Sequence, residues 1–382
     1  MNVQELFETV DRLQDEYIDR WEEICNIESP TNHKAGIDAV GQSLIRFAKA
    51  KGWEVEVCPQ KVAGDAICIT LNGNASAAPI CLSGHIDTVF PVGSFGSPAV
   101  RKDGEKIYGP GVTDCKGGVI AALLAMDALE RCGFQKRPIR LLVQTDEETG
   151  SMTSGKATIG YICEKAAGAE AFLNLEGAKE GSAVLWRKGI LRCRFTVHGK
   201  AGHSSACHEA ANAIAEAAHK IILLEKLKDK DNLTCNCGVI EGGTVANTVP
   251  DTCIFLADIR YKDDEQLAEA WRYLREVAEQ THVEGCSCTL EEVSSRPAMV
   301  HAERNLALLD RMNEIFRQNG LSALTPRRVA GGSDAAYITQ SGIPCVDNLG
   351  PTGGKIHSVE EFANLRSLCD SAKRIAVVTA EI

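Results

Sequence analysis

The chain runs to 382 residues, too long for one small core, so two domains are expected. Its 44% hydrophobic and 24% charged residues are those of an ordinary globular protein, and a net charge of −11 argues against nucleic acid or an anionic membrane as partner. No run of about twenty apolar residues occurs, which excludes a helix that spans a bilayer.

The opening stretch, MNVQELFETVDRLQDEYIDRWEEIC, carries acids throughout and apolar residues at helical spacing. It reads as a surface helix and not as a signal peptide. Four β-rich apolar runs follow: DAICITLNG (65–73), PICLSGHID (79–87), RPIRLLVQTDEE (137–148) and AEAFLNLEG (169–177). Helical stretches such as GGVIAALLAMDALERCG (117–133) separate them. This alternation predicts an α/β domain, a mostly parallel sheet covered by helices. Ligands bind where the strands of such sheets end. Three of the four runs end in His-x-Asp, Asp-Glu-Glu or Glu-Gly.

Near Lys188 the texture changes. KGILRCRFTVHG alternates like a half-exposed strand, and a long helix is predicted over HEAANAIAEAAHKIILLEKLKD (208–229). A strand pair (236–261), an amphipathic helix (263–280) and the strand CTLEEVSS (288–295) complete two β-α-β units. Together they make a smaller α+β domain of about 110 residues. After Arg296-Pro297 the α/β pattern returns. The expected organisation is a larger domain over 1–188 and 297–382, with the smaller domain inserted at 189–296. The sixteen cysteines lie mostly inside apolar runs, and the C-x-C pairs Cys235/Cys237 and Cys286/Cys288 lack a second pair at zinc-finger distance. They read as reduced thiols of a cytoplasmic protein.

The chemistry concentrates at the run ends. Side chains two apart on a strand share a face, so Asp87 can fix the tautomer of His85 as it would for a metal-binding histidine. A capped strand end with a satisfied polar pair would read the same way. Asp114, in the Gly-rich turn GPGVTDCKGG, suits a positioned ligand or a helix cap. Glu147 and Glu148 diverge from one another, so one can hold a metal while the other takes a proton from its water. Taken singly, they would be an acidic surface turn. Glu176 follows another apolar strand, and His357 follows the Gly-rich LGPTGG, while Asp334 most simply caps a helix. Together His85, Asp114, Glu148, Glu176 and His357 offer the two imidazoles and three carboxylates that a pair of metals bridged by one carboxylate needs, about 3.5–4 Å apart. Mixed nitrogen and oxygen ligation suits zinc and admits cobalt or manganese. A nucleotide-binding reading fails for want of G-x-G-x-x-G.

The segments GHIDTVFP, GPGVTDCKGG, TDEETGS, NLEGA, GKAGHSS and GGSDA, in that order, resemble the co-catalytic zinc exopeptidase and deacylase family. That family includes glutamate carboxypeptidases, aminoacylases, acetylornithine deacetylases and succinyl-diaminopimelate desuccinylases. The resemblance implies two Zn²⁺ per subunit: one on His85 and Glu176, one on Glu148 and His357, with Asp114 bridging. It implies Asp87 as the orienter of His85, Glu147 as general base, and a cis peptide at Asp114–Cys115. In the inserted domain, His203 resembles the oxyanion-stabilising histidine, and Arg260 and Asn247 resemble groups that hold a substrate carboxylate. The other histidines there, His198, His208 and His219, read as structural or surface. The resemblance further implies that 1–188 and 297–382 form the catalytic domain and that the inserted domain is a lid that also makes a homodimer. The alternating strands of that domain offer edges for such pairing. With the expected metal ligands all in the other domain, His203 of each copy is expected to serve the other's site. Glu176 in place of Asp resembles the carboxypeptidase and deacylase branches. The expected activity is hydrolysis of an amide bond in a small peptide or N-acyl amino acid with a free carboxylate, of the carboxypeptidase or the deacylase type. A catalytically inactive metal-binding relative is the alternative from another class, and the presence of Glu147 speaks against it.

Overall fold

The computed structural model describes residues Met1–Ile382, and no helix in it is long and apolar enough to cross a membrane. The chain divides into two compact units. The larger joins Met1–Leu185, His301–Arg328 and Ser333–Ile382; the smaller joins Trp186–Val300 and Val329–Gly332.

In the larger unit, Asn2 caps α1 (Val3–Asn26) by accepting from the N–H groups of Gln4 and Glu5. Leu6, Val10, Leu13, Tyr17, Trp21 and Ile24 recur at the helical period and form its buried stripe. After α2 (Lys34–Ala50) come β1 (Glu54–Cys58), β2 (Ala66–Leu71) and β3 (Ile80–His85). The small strands β4 (Arg101–Asp103) and β5 (Lys106–Tyr108) precede α3 (Lys116–Arg131); then follow β6 (Ile139–Gln144), α4 (Ala157–Ala166) and β7 (Ala171–Asn174). The strand β8 (Ser182–Arg187) ladders with β15 (Thr325–Val329). The unit closes with α7 (Glu303–Gln318), α8 (Ala335–Gln340), β16 (Cys345–Val346), β17 (Gly353–Gly354), β18 (Phe362–Asn364) and α9 (Ser367–Glu381).

The main sheet has the order β1-β2-β6-β3-β7-β16. Its β6, β3, β7 and β16 run parallel, while β1–β2 and β2–β6 are antiparallel. The sheet is therefore mainly parallel with an antiparallel edge, which periodicity alone cannot distinguish. All residues of β2 and β3 are buried, as expected of strands covered on both faces. The helix α3, apolar nearly all round, packs against α1, α9 and β3, while α4 packs against β6 and β2.

The smaller unit is a β-α-β-β-α-β fold. Its strands β9 (Gly189–His198), β11 (Thr234–Gly242), β13 (Thr252–Tyr261) and β14 (Ser287–Arg296) form an antiparallel sheet of order β11-β13-β9-β14. The helices α5 (Ala213–Leu224) and α6 (Asp264–Glu279) cover it, and β10 (Gly202–His203) pairs with β12 (Thr248–Val249). Along β9, Leu191, Cys193, Phe195 and Val197 turn inward between outward Arg192 and Arg194, and the Phe195 ring stacks on Phe255 at 4.7 Å. Burying each such side chain stabilises the unit by roughly 1.5–3 kcal/mol. The helix predicted from residue 208 begins only at Ala213. Ala211 is held in a β-bridge to Lys200, and Asn212 caps the helix through the Ala215 N–H at 3.1 Å.

Candidate metal centre

Where β3 ends, Gly84 is closely packed: a Cβ there would lie 3.0 Å from Val119 Cγ2 and 3.1 Å from Cys115 Sγ, so either neighbour would have to give way. His85 follows, only 1% exposed. Its Nδ1 sits 3.0 Å from the Asp87 carbonyl oxygen and 3.3 Å from Asp87 Oδ1. Two acceptors at Nδ1 place a proton there and direct Nε2 away from them. Nε2 faces Asp114 Oδ1 at 3.0 Å and Glu176 Oε1 at 3.9 Å. Asp87 has a second task. Its carboxylate accepts from the Thr31 hydroxyl at 2.7 Å and from the N–H groups of Glu147 and Glu148 at 3.1 and 3.2 Å. One buried aspartate thus aligns the histidine and the paired-glutamate turn together.

Asp114 closes the Gly-rich loop before α3, and the Asp114–Cys115 peptide is cis. While its Oδ1 faces His85, its Oδ2 lies 3.2 Å from His357 Nε2. The same His357 nitrogen is 3.3 Å from Glu148 Oε2. His357 holds a left-handed backbone, φ +60°, in the loop between β17 and β18. Glu147 and Glu148 occupy a short 3-10 turn after β6, and Glu176 stands two residues beyond the end of β7.

Burial and mutual charge set the ionisation of the cluster. Burial pushes the Glu148 carboxyl up to about 7 against the pull of His357, with Asp114 and Glu147 adding to the rise. Burial raises Glu176 well above the usual carboxylate range, and Asp114 and Glu147 act in the same direction. Asp114 and Glu148 hold the His357 imidazolium up to about 10. Burial opposes a charged His85 ring, but Cys115, Asp114, Asp87 and Glu176 outweigh it and raise that group too. Asp114 moves the other way: burial opposes its charge, but His357 and His85 hold its carboxyl well below the usual range. Imidazole nitrogens and carboxylate oxygens gathered this closely are a donor set that fits divalent ions.

Of the predicted residues, the structure brings His85, Asp87, Asp114, Glu147, Glu148, Glu176 and His357 to this cluster. The others lie in the smaller unit. His203, exposed at the end of β10, accepts the Ser205 N–H on Nδ1 at 3.2 Å, and the Asn247 carbonyl accepts the Ser204 N–H at 3.0 Å. Arg260 lies on β13, where its Nε and Nη2 donate to Asp258 at 2.6 and 3.3 Å. Asp334 departs from its predicted cap: its side chain does not cap α8 but accepts from Gln144 Nε2 at 2.9 Å.

Sequence reasoning missed Cys115, whose Sγ groups with His85 and Glu176, and Thr31, which holds Asp87. It missed Lys116, fully buried, whose Nζ ties the loop to the Ile24 and Ile27 carbonyls at 3.1 and 2.8 Å. It also missed Glu361, whose buried carboxylate accepts main-chain N–H groups of the Asp114 loop. Burial and Asp114 push that carboxyl up to about 7, against the N–H groups that favour its anion. Two of the four adjoin predicted ligands in TDCKGG, which was the available signal.

A helix-covered sheet whose strand ends gather imidazoles and carboxylates around a place for divalent ions defines a metal-dependent hydrolase. The model of peptidase family M20/M25/M40 matches residues 81–380, and the chain belongs to that family. It is 31% identical over 360 residues to carboxypeptidase G2 of Pseudomonas sp. (strain RS-16), covering 92% of this chain and 86% of that one. It is 27% identical over 302 residues to a succinyl-diaminopimelate desuccinylase of Wolinella succinogenes, covering 74% and 78%. A dinuclear metal-binding peptidase of Bacillus subtilis shares the fold, with a TM-score of 0.71 and 16% identity over 97% of this chain and 98% of that one.

Proposed function

We propose that the protein is a dinuclear zinc hydrolase that cleaves the amide bond of a peptide or N-acyl amino acid bearing a free carboxylate, in the manner of a glutamate carboxypeptidase. The observation that carries this reading is the disposition of Asp114. Each of its two oxygens faces a different imidazole, and each imidazole has its own glutamate, Glu176 beside His85 and Glu148 beside His357. His85 and Glu176 would hold one ion, His357 and Glu148 the other, and Asp114 both. Such a pair, zinc or in its place cobalt or manganese, supplies a polarised carbonyl and a water acidified towards a pKa of about 7.

The chain's own groups do the rest. Glu147 takes the attacking water's proton and hands it to the departing amine nitrogen. Asp87 keeps His85 in its liganding tautomer. His203 serves as the donor to the oxyanion: its Nδ1 stands 2.7 Å from the Ser205 hydroxyl and accepts the Ser205 N–H at 3.2 Å, and a neutral ring in that arrangement carries its proton on Nε2. Asp258 uses two of the five N–H groups of Arg260, which holds the guanidinium plane and leaves donors for a substrate carboxylate. Asn247 adds an amide to that recognition. The likeness to carboxypeptidase G2, higher in identity and coverage than that to the desuccinylase, favours the carboxypeptidase form over an N-deacylase.

The reading is tested by assaying zinc-reconstituted enzyme against N-acyl amino acids, dipeptides and the corresponding C-terminal amides. Free carboxylates should be turned over and amides poorly. In Arg260→Ala, kcat/KM on carboxylates should fall by a factor on the order of 100, the scale of a lost charge-assisted pair of about 2–3 kcal/mol, with little change on amides. Equal losses on both would make Arg260 part of the fold.

The proposed assembly is a homodimer through the smaller unit, with His203 of each copy serving the other's site. Mixing inactive His203→Ala subunits with inactive Glu147→Gln subunits should then restore part of the activity. Proven subunit exchange without recovery would confine His203 to its own chain or remove it from the mechanism.

A further inference from the structure

Glu361 is 1% exposed and spends its carboxylate on main-chain N–H groups. Its Oε1 accepts from Thr113 at 2.8 Å and Asp114 at 3.0 Å, and its Oε2 from Gly111 at 3.3 Å. Two more bonds reinforce the same strap: the Gly109 N–H donates to the Glu361 carbonyl at 3.3 Å, and the Thr113 hydroxyl to the Phe362 carbonyl at 2.7 Å. The β18 strand that Glu361 enters pairs with β5, which leads into the Gly-rich loop. His357 stands four residues before Glu361 in the same segment. One short segment therefore presents an imidazole to Asp114 Oδ2 and also clamps the backbone from which Asp114 projects.

We propose that Glu361 is the positioning residue that sets Asp114 between the two imidazoles, and so governs how tightly the centre binds its ions. The proposal rests on Asp114 as the shared ligand. A carboxylate is required by the count of partners. Three N–H donors converge on two oxygens, and an amide in its place would offer one oxygen and turn an NH₂ towards a donor. A buried donor left unpaired destabilises the loop conformation that needs it. The loop then relaxes and Asp114 drifts from the imidazoles. Glu361 itself touches neither ions nor substrate.

The test measures Zn²⁺ binding to the metal-free full-length protein by competition with a chromophoric chelator, alongside thermal unfolding of the metal-free forms. Wild type, Glu361→Gln and Asp114→Asn are compared. Glu361→Gln should weaken Zn²⁺ binding about 10–100-fold, the usual cost of losing a group behind a metal ligand. Its metal-free thermal midpoint should stay close to wild type, and its Co²⁺-substituted visible spectrum should change. Unchanged Zn²⁺ affinity overturns the proposal, whether or not the metal-free midpoint falls. If Asp114→Asn loses zinc while Glu361→Gln does not, only the positioning role fails. If Asp114→Asn still binds two zinc ions as tightly as wild type, the underlying ligand reading fails. Should Glu361→Gln not fold, Glu361→Asp, which keeps the charge but draws the oxygens back by one methylene, is measured in the same way. Failure of both to fold would make Glu361 a determinant of the fold and overturn the proposal.

Discussion

With Glu147 as the proposed general base, Glu147→Gln should lower kcat by a factor of about 10²–10⁴, the contribution of a positioned base, with metal content unchanged. The two adjacent glutamates are separated by geometry. Both take their backbone direction from Asp87, whose carboxylate accepts their N–H groups at 3.1 and 3.2 Å. Glu148 turns its Oε2 to within 3.3 Å of His357, the position of a ligand. Glu147 lies 7% exposed in the same turn, near enough to raise the carboxyls of Glu148 and Glu176. An amide keeps its volume and removes its basicity, so the loss should fall on kcat with metal content intact. Metal analysis beside steady-state kinetics decides. Zinc lost together with activity would mean that Glu147 and Glu148 exchange roles.

Lys220→Met should destabilise the smaller unit by about 3–5 kcal/mol, the cost of breaking a buried ion pair from one side. Lys220 is 1% exposed, and its Nζ donates to the carbonyls of Val277, Ala278 and Gln280 at 2.8, 3.1 and 2.6 Å. These carbonyls are at the C-terminal end of α6, so the ammonium supplies the hydrogen bonds that the end of a helix lacks. It also pairs with Glu216 at 3.0 Å. Glu216 Oε2 in turn accepts the N–H groups of His282 and Val283 at 2.8 and 2.7 Å, just past the helix. Removing the lysine leaves an unpaired buried carboxylate and three unmet carbonyls. At roughly 4–8 °C per kcal/mol for a domain near this size, the unit's thermal midpoint should fall by more than ten degrees. A Lys220→Met midpoint within about 4 °C of wild type would contradict the argument.

Much of the fold was legible because its signals are local. The stripe of α1, the apolar runs of β2 and β3 and the alternation along β9 each follow from the period at which a chain in that conformation meets a core. The antiparallel β1–β2 edge was not legible: β1 is largely exposed and lacks the apolar run that marked the other strands, and period says nothing of a strand's direction. The start of α5 was misplaced because alanine-rich stretches favour helix wherever no tertiary contact claims them, and here Lys200 claims Ala211. The cap predicted for Asp334 gave way to Gln144, 190 residues away, in the same fashion.

By itself the sequence determined which residue types stand at the ends of buried strands: His85 and Asp87 after one, Glu147 and Glu148 after another, Glu176 after a third. Taken singly each could be a satisfied polar pair or a surface turn, and only as an ordered set did they point to metal ions. Only the tertiary structure decided that Asp114 turns one oxygen to each imidazole and that Thr31 braces Asp87. It alone brought Glu361 to the loop of Gly111, 250 residues distant. The reason is physical. Hydrophobic period is written into neighbouring residues, whereas the direction of a side chain in a loop is set by hydrogen bonds from whichever distant segment the fold lays beside it.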